Sequence, residues 1–186
     1  MIEFRRARPE DYPAILDLQD ANFVANLSDA ERKEGFLSAQ FSAEQTAQIA
    51  EDLGTMVAVI DRRVGGFLCA FRNDFNTGSP VIAMMLDSYE RLRLDGKPLS
   101  AFRSYIYGPV CIAREYRRRG LLRGLYEAQK KDLAGKFEIG VAFVARDNPH
   151  SLSAHVAGLG MIEAGDFTVK DNVYVALAFR IAAPVS

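Results

Sequence analysis

Polar and apolar residues alternate over residues 2–8, which predicts a strand at the start of the chain. Pro9 then opens a helix that carries Tyr12, Ile15, Leu16, Leu18 and Phe23, since proline suits a first helical turn. A second helix is predicted over 28–38. Ser28 is its N-cap and Glu31, three residues on, completes a capping box. A third is predicted over 43–53 and is closed by Gly54. Thr55–Ile60 and Val64–Phe71 are β-rich runs separated by Asp61-Arg62-Arg63, hence a hairpin. Residues 80–92 contain a helix, and the polar stretch 93–103, with Gly96 and Pro98, reads as a loop. Tyr105–Ile112 reads as a strand. A helix over 121–134 sets Leu121, Leu122, Leu125, Tyr126, Ala128 and Leu133 on one side. Glu138–Ala145 is a strand, 150–158 a short helix, and 161–169 and 173–181 are two final strands. A strand–helix–strand crossover around residues 105–145 demands a parallel neighbour pair, while the rest reads as antiparallel hairpins. The expectation is a mixed α/β (α+β) sheet flanked by helices.

The chain of 186 residues suits a single domain, 1–186, with a real core. Hydrophobic residues make up 49% and charged residues 25%, ordinary for a globular protein. The net charge of −1 makes any basic cluster a local feature and argues against a nucleic-acid-binding face. Cys69 and Cys111 both sit in apolar strand-like runs with no disulfide framework or metal-ligand spacing, which fits a reducing interior and no metal. The charged N-terminus is unlike a signal peptide, and no apolar run approaches the roughly 20 residues of a membrane span. A cytoplasmic protein without a membrane partner is expected.

One segment changes this bland picture. Val110 to Leu125 reads as a buried strand, a tight basic loop with two glycines, and a helix. The first N–H groups of a helix lack intrahelical partners, and the helix dipole adds positive potential there. Glycine lets the main chain approach a phosphate, and arginines add charge and directional donors. A loop built this way wants a phosphorylated ligand. Arg114 and Arg123 could equally be a solvated surface face, whereas Arg117 to Arg119 lie close to both glycines.

These residues resemble the acyl-CoA-binding motif Q/R-x-x-G-x-G/A of the GCN5-related N-acetyltransferase (GNAT) superfamily. Arg117, Gly120 and Leu122 occupy its fixed positions; Leu122 stands where Gly or Ala is usual, and the next small residue is Gly124. The resemblance covers nearly the whole chain. It implies a mostly antiparallel sheet of about seven strands with one parallel, splayed pair. It also implies acetyl-CoA as co-substrate, with a binding set of Val110, Cys111, Ile112, Arg117, Arg118, Arg119, Gly120, Leu121, Leu122, Arg123, Gly124, Asn148 and Ser151. Val110 to Ile112 would pair with the pantetheine arm, the amides from Arg118 to Arg123 would cradle the pyrophosphate, and the strand ending near Arg146 would splay away to leave a slot for the thioester.

A second stretch, Asn148-Pro149-His150-Ser151, then His155, then Leu159-Gly160-Met161, is similar to the family's Asn-x-x-Ser…Tyr…Leu-Gly-Phe region. Asn148 would contact the CoA arm. His155 stands where the family's tyrosine protonates the departing thiolate, and an imidazolium with a pKa near 6.5 could donate to a thiol near 8.5. Tyr126 is a fallback acid, though its helical position suits a core residue. His150 reads as a surface residue or cap.

A base is harder to find. The strand before the loop offers only Tyr105 and Tyr107, with Ser104 just before, and so Tyr107 joins the catalytic candidates. Asp87 and Glu90 could reach the cleft through water. Direct attack in a ternary complex relies on positioning and oxyanion stabilisation and tolerates a missing carboxylate. Cys111 reads as a buried thiol and not a nucleophile. Gly65-Gly66, inside a strand pattern, reads as a bulge or close backbone approach.

The leading expectation is therefore an acetyl-CoA-dependent N-acetyltransferase acting on a primary amine. A non-catalytic acyl-CoA sensor is the alternative, and an RNA-contacting protein using Arg114 to Arg123 a weaker third. The N-terminal helices, the 74–103 insert and the last two strands should form the acceptor end, which is rich in aromatics but names no acceptor. The final strands could form a homodimer edge.

Overall fold

A computed structural model of the protein describes residues 1–181. In chain order its elements are β1 (Ile2–Arg6), α1 (Tyr12–Asn22), α2 (Asp29–Arg32), α3 (Ala43–Glu51), β2 (Thr55–Ile60), β3 (Arg63–Phe71) and α4 (Pro80–Asp87). Next come β4 (Arg93–Leu94), β5 (Lys97–Pro98), β6 (Ser104–Ile112), α5 (Leu121–Leu133), β7 (Ile139–Ala145), α6 (Pro149–Ser153), β8 (Ile162–Val169) and β9 (Asn172–Arg180). Seven strands form one sheet in the order β1-β2-β3-β6-β7-β9-β8. Every pairing in it is antiparallel except β6 with β7. The mixed sheet with one parallel pair expected from the sequence is the observed architecture.

The sheet buries a core on each face. On one face α1, α3 and α4 pack Ile15, Ile49, Ile82 and Met85 with Phe41, Phe67 and Phe71. On the other, α5 lays Leu121, Leu125, Tyr126 and Leu133 against Tyr105, Tyr107 and Phe179. This is the apolar stripe that the helical spacing foretold, except that Leu122, expected in it, is half-buried and outside this core. Among the described residues no helix is long and apolar enough to cross a membrane.

Three expectations need correction. The first helix begins as a single tight turn, Pro9–Asp11, before α1. The second stops at Arg32 instead of reaching residue 38, although its Ser28–Glu31 capping box forms. Gly35 turns left-handed at φ 99°, and Leu37 then pairs with Phe23 as an isolated bridge. That pairing, with Leu37 N–H donating to Asn22 O at 2.8 Å, supplies hydrogen bonds a continued helix would have made internally. The 93–103 stretch also holds the β4–β5 hairpin, whose turn Asp95-Gly96 has positive φ at both residues. Asp-Gly favours that two-residue turn.

Gly124 illustrates how α5 is held. A Cβ at this position would overlap the Phe4 ring of β1. Gly124 therefore serves helix-to-sheet approach; its N–H already donates to Gly120 O at 3.0 Å, which leaves no free amide there for the CoA-binding set in which it was expected. Replacing it with valine should destabilise the protein by about 1–3 kcal/mol through overpacking, read as a lower urea midpoint, while acetyl-CoA affinity per folded molecule stays unchanged.

Candidate active site

The site grows out of the parallel pair. β6 and β7 are in register only at Ser104↔Ile139, Tyr105↔Gly140 and Ile106↔Val141. Beyond Ile106 they separate. On its other side β6 stays paired to β3, but Leu68 opposes Val110 while Ala70 opposes Tyr107. Gly108 and Pro109 thus face Cys69 alone, a bulge that bends the strand and re-aims its remaining residues. Ala113 N–H donates to Gly65 O at 2.9 Å. Alternation along an antiparallel ladder then turns the N–H groups of Val110 and Ile112 to the open edge. Gly65-Gly66 behave as expected of close-approach glycines: a Cβ at Gly65 would strike the Tyr116 ring and one at Gly66 the Ile112 side chain.

At the end of this edge the chain turns through Arg118 (φ 61°) and Gly120 (φ 78°) into α5. Among the described residues, none of the amides from Arg118 to Arg123 donates to a backbone carbonyl; Gly124 N–H, bonded to Gly120 O, is the first that does. The loop and the first turn of α5 wall a cleft of about 860 Å³. Val110, Cys111, Ile112, Arg117, Arg118, Gly120, Leu121, Leu122, Arg123 and Ser151 all line it.

The loop arginines divide by task. Arg117 is tied into the protein: Nε donates to Ile112 O at 3.3 Å, Nη1 to Glu34 O at 3.2 Å and Nη2 to Asn22 Oδ1 at 3.0 Å. It pins the loop to the end of α1 and to the turn after α2. Arg119 lies over the Tyr116 ring, 5.6 Å from its centroid, and does not line the cleft. Arg123 donates to Gly158 O. Arg118 faces the cleft, and no protein hydrogen bond or ion pair holds it among the described residues. Arg114 at the rim pairs with Glu31 and Glu34, each at 3.7 Å.

Where β6 and β7 part there is a smaller chamber of about 80 Å³. Tyr107, Asn148, Ser151 and His155 meet there. Asn148 is buried; its Oδ1 caps α6 by accepting from Ser151 N–H at 3.3 Å, and its Nδ2 donates to Phe36 O at 3.0 Å. These bonds account for the cap and bind α6 to the 35–41 segment.

His155 lies in a wide π-type turn, Ala154–Gly158, continuing α6, a distortion frequent at functional positions. Its Nδ1 is 2.7 Å from Ser151 O, which can only accept, so Nδ1 carries a proton. Its Nε2 is 3.1 Å from Tyr107 Oη. Burial holds the imidazole pKa below its ordinary value, against the Ser151 carbonyl, which raises it. The ring is therefore neutral and Nε2 accepts from the Tyr107 hydroxyl. This corrects the expected imidazolium donor: the hydroxyl proton of the pair sits on Tyr107. Burial, with Tyr126 nearby, pushes the Tyr107 pKa well above its usual value, so the phenol is neutral too.

Other candidates fall away from the chamber. Tyr126 lines neither cavity; it packs edge-on to Phe179 and Tyr107 beneath Lys130, and burial pushes its pKa to about 12. Asp87 and Glu90 are exposed and line neither cavity. The Cys111 thiol, raised to about 12 by burial, donates to Leu18 O at 3.6 Å, and no base is bonded to it among the described residues. The final strands contribute nothing to the chamber wall.

The segment that sequence reasoning misses is Lys33 to Leu37, where the pattern predicts a helix. It lines the cleft, and Phe36 and Leu37 border both cavities. Gly35, inside the expected helix, is the available signal. Its left-handed φ disfavours any side chain, and a Cβ there would press on the His150 ring at 3.3 Å.

A bulged strand that leaves its parallel neighbour, followed by a loop of free amides and a helix, is the fold of the GNAT superfamily, and this chain has that fold. No protein-family model matches the sequence. No curated protein matches it. Among solved structures, a GNAT-family acetyltransferase from Streptococcus agalactiae superposes with a TM-score of 0.66 at 17% identity, covering 97% of this chain and 95% of that one. The ribosomal-protein-S18-alanine N-acetyltransferase from Escherichia coli gives 0.63 at 13% identity, covering 100% and 97%. A Salmonella typhimurium protein solved with acetyl-CoA as its cofactor gives 0.60 at 12%, covering 100% and 97%.

Proposed function

We propose that the protein is an acetyl-CoA-dependent N-acyltransferase that passes an acetyl group to a primary amine by direct attack in a ternary complex. The observation that carries this reading is the run of unbonded amides from Arg118 to Arg123, set at the mouth of the gap between β6 and β7. Amides of this kind hold a pyrophosphate, with Arg118 supplying charge. The pantetheine arm lies along the open edge of β6 as an added strand. That brings the thioester to the chamber, where Val110 N–H, the first amide beyond Pro109, donates to the carbonyl oxygen as it becomes an oxyanion.

The amine nitrogen then bonds to the carbonyl carbon and the carbon–sulfur bond breaks. One proton leaves nitrogen and one is needed on sulfur. The Tyr107 hydroxyl, bonded to His155 Nε2, can give a proton to the thiolate and regain one, with the imidazole as temporary holder. Two free, buried cysteines suit the reducing cytoplasm in which we place the enzyme.

The test has two parts. Acetyl-CoA should raise the melting temperature, and an amine panel should release thiol in proportion to N-acetylated product. Absence of both ends the proposal, and binding without thiol release from any amine reduces the protein to an acyl-CoA-binding module.

A further inference from the structure

Among the described residues, no charged side chain lines the chamber between β6 and β7. Its wall is Phe36, Phe41, Phe71 and Ile82 on one side and, on the other, Phe143 with small or aliphatic residues of β6 and β7. The polar groups that reach it are Ser38, Asn148, Ser151 and the Tyr107–His155 pair. Of these only Tyr107 and His155 titrate, and the two are bonded to each other. The carboxylates and arginines of the region, Glu34, Arg114, Arg117, Arg118 and Arg123, all belong to the larger cleft on the loop side.

An ammonium group entering such a chamber would shed its hydration with no anion to meet it, which is costly. It would also need to lose a proton before attacking, and no carboxylate is there to take it. An alkylamine with a pKa near 10.4 is neutral in only about one molecule in 2,500 at pH 7. An amine that is already uncharged at neutral pH avoids both costs. The volume of about 80 Å³ is roughly half that of an apolar cavity that accommodates a benzene ring (about 150 Å³), so the chamber takes the amine end and the near edge of a flat apolar body, against its aromatic wall.

We infer that the acceptor is a weakly basic amine, uncharged at neutral pH and borne on a single aromatic ring, whose amine end enters the chamber between β6 and β7. This rests on the proposed acetyl transfer and explains why that transfer needs no carboxylate base.

The experiment compares aniline with Nα-acetyl-lysine amide as acceptors, at saturating acetyl-CoA, from pH 6.5 to pH 8.5. Aniline should be acetylated at a rate that changes less than about threefold across the range, because its neutral fraction is constant. The lysine derivative should be slower by about 100-fold or more at pH 7 and should gain about tenfold per pH unit, following its free base. Ala39→Phe, which places a ring in the chamber from a loop, should remove aniline turnover while leaving intact the melting shift produced by ADP, whose pyrophosphate reaches only the loop amides. Preference for the lysine derivative at pH 7 overturns the inference and leaves the acetyltransferase reading standing, as does undiminished aniline turnover in A39F. No thiol release from either amine, with acetyl-CoA bound, overturns the inference; whether the acetyltransferase reading falls too is decided by the wider amine panel.

Discussion

Gly120→Asp is expected to abolish the rise in melting temperature that acetyl-CoA produces in the unmodified protein. At a concentration 100-fold above Kd a ligand adds about 2.7 kcal/mol, and for a chain of this size that is roughly 5–10 °C. The substitution acts in two ways. A carboxylate among the amides of Arg118 to Arg123 occupies the place the pyrophosphate needs, and repels it. Two like charges about 4 Å apart near a protein surface cost on the order of 4 kcal/mol, enough to cancel the binding. The fold should survive, because a Cβ at Gly120 meets nothing within 4 Å. The left-handed φ of 78° costs roughly 1–2 kcal/mol. Gly120→Ala separates the two effects: it should show the same backbone cost, seen as a lower melting temperature without ligand, and keep most of the acetyl-CoA shift. A full shift in G120D would mean that these amides do not hold the coenzyme.

The loop was legible because its chemistry is local. Free amides at a helix start, a left-handed glycine and the apolar strand before it are written in adjacent residues, so residues 110 to 125 could be read without tertiary knowledge. Arg117 marks the limit of that reading. A basic side chain beside glycines reads as a phosphate ligand, but its three acceptors, Asn22 Oδ1, Glu34 O and Ile112 O, come from separate parts of the chain. Only folding brings them together. Gly124 shows the same limit: it looks like the motif's displaced small residue, and its reason is Phe4, 120 positions away in sequence. The 33–37 segment is lost for a related cause. A sound capping box starts α2, and although Gly35 signals a break, nothing local shows that a bridge to Phe23 follows it and that the helix ends after four residues. His155 is found by its position in a pattern, yet its protonation depends on burial and on Tyr107, 48 residues away.

Tyr107→Phe is the second large effect. If the Tyr107–His155 pair carries protons between amine and thiolate, removing the hydroxyl should lower kcat by about 10²- to 10⁴-fold and leave the KM for acetyl-CoA nearly unchanged, since the coenzyme is held by the loop. The same change leaves His155 Nε2 buried without its donor and should cost about 1–3 kcal/mol of stability, so activity must be compared at a temperature where both proteins are folded. A purely structural tyrosine would show the stability loss and keep kcat, and that result would remove the relay. The pH dependence gives an independent check. The folded-state pKa of His155 is lowered, so the unfolded chain binds the extra proton and the folded one resists it. The stability contributed by the neutral ring is complete above the unfolded value near 6.5 and is lost as pH falls through the lower, folded value. Urea midpoints of the unmodified protein should therefore fall as the pH drops from 7 to 5, and His155→Gln, which does not titrate, should lack that component. Activity should fade over the same acid range, because a protonated Nε2 can no longer accept from Tyr107. If kcat stays level while the stability falls, the imidazole is a packing group and the proton must reach the thiolate by another route.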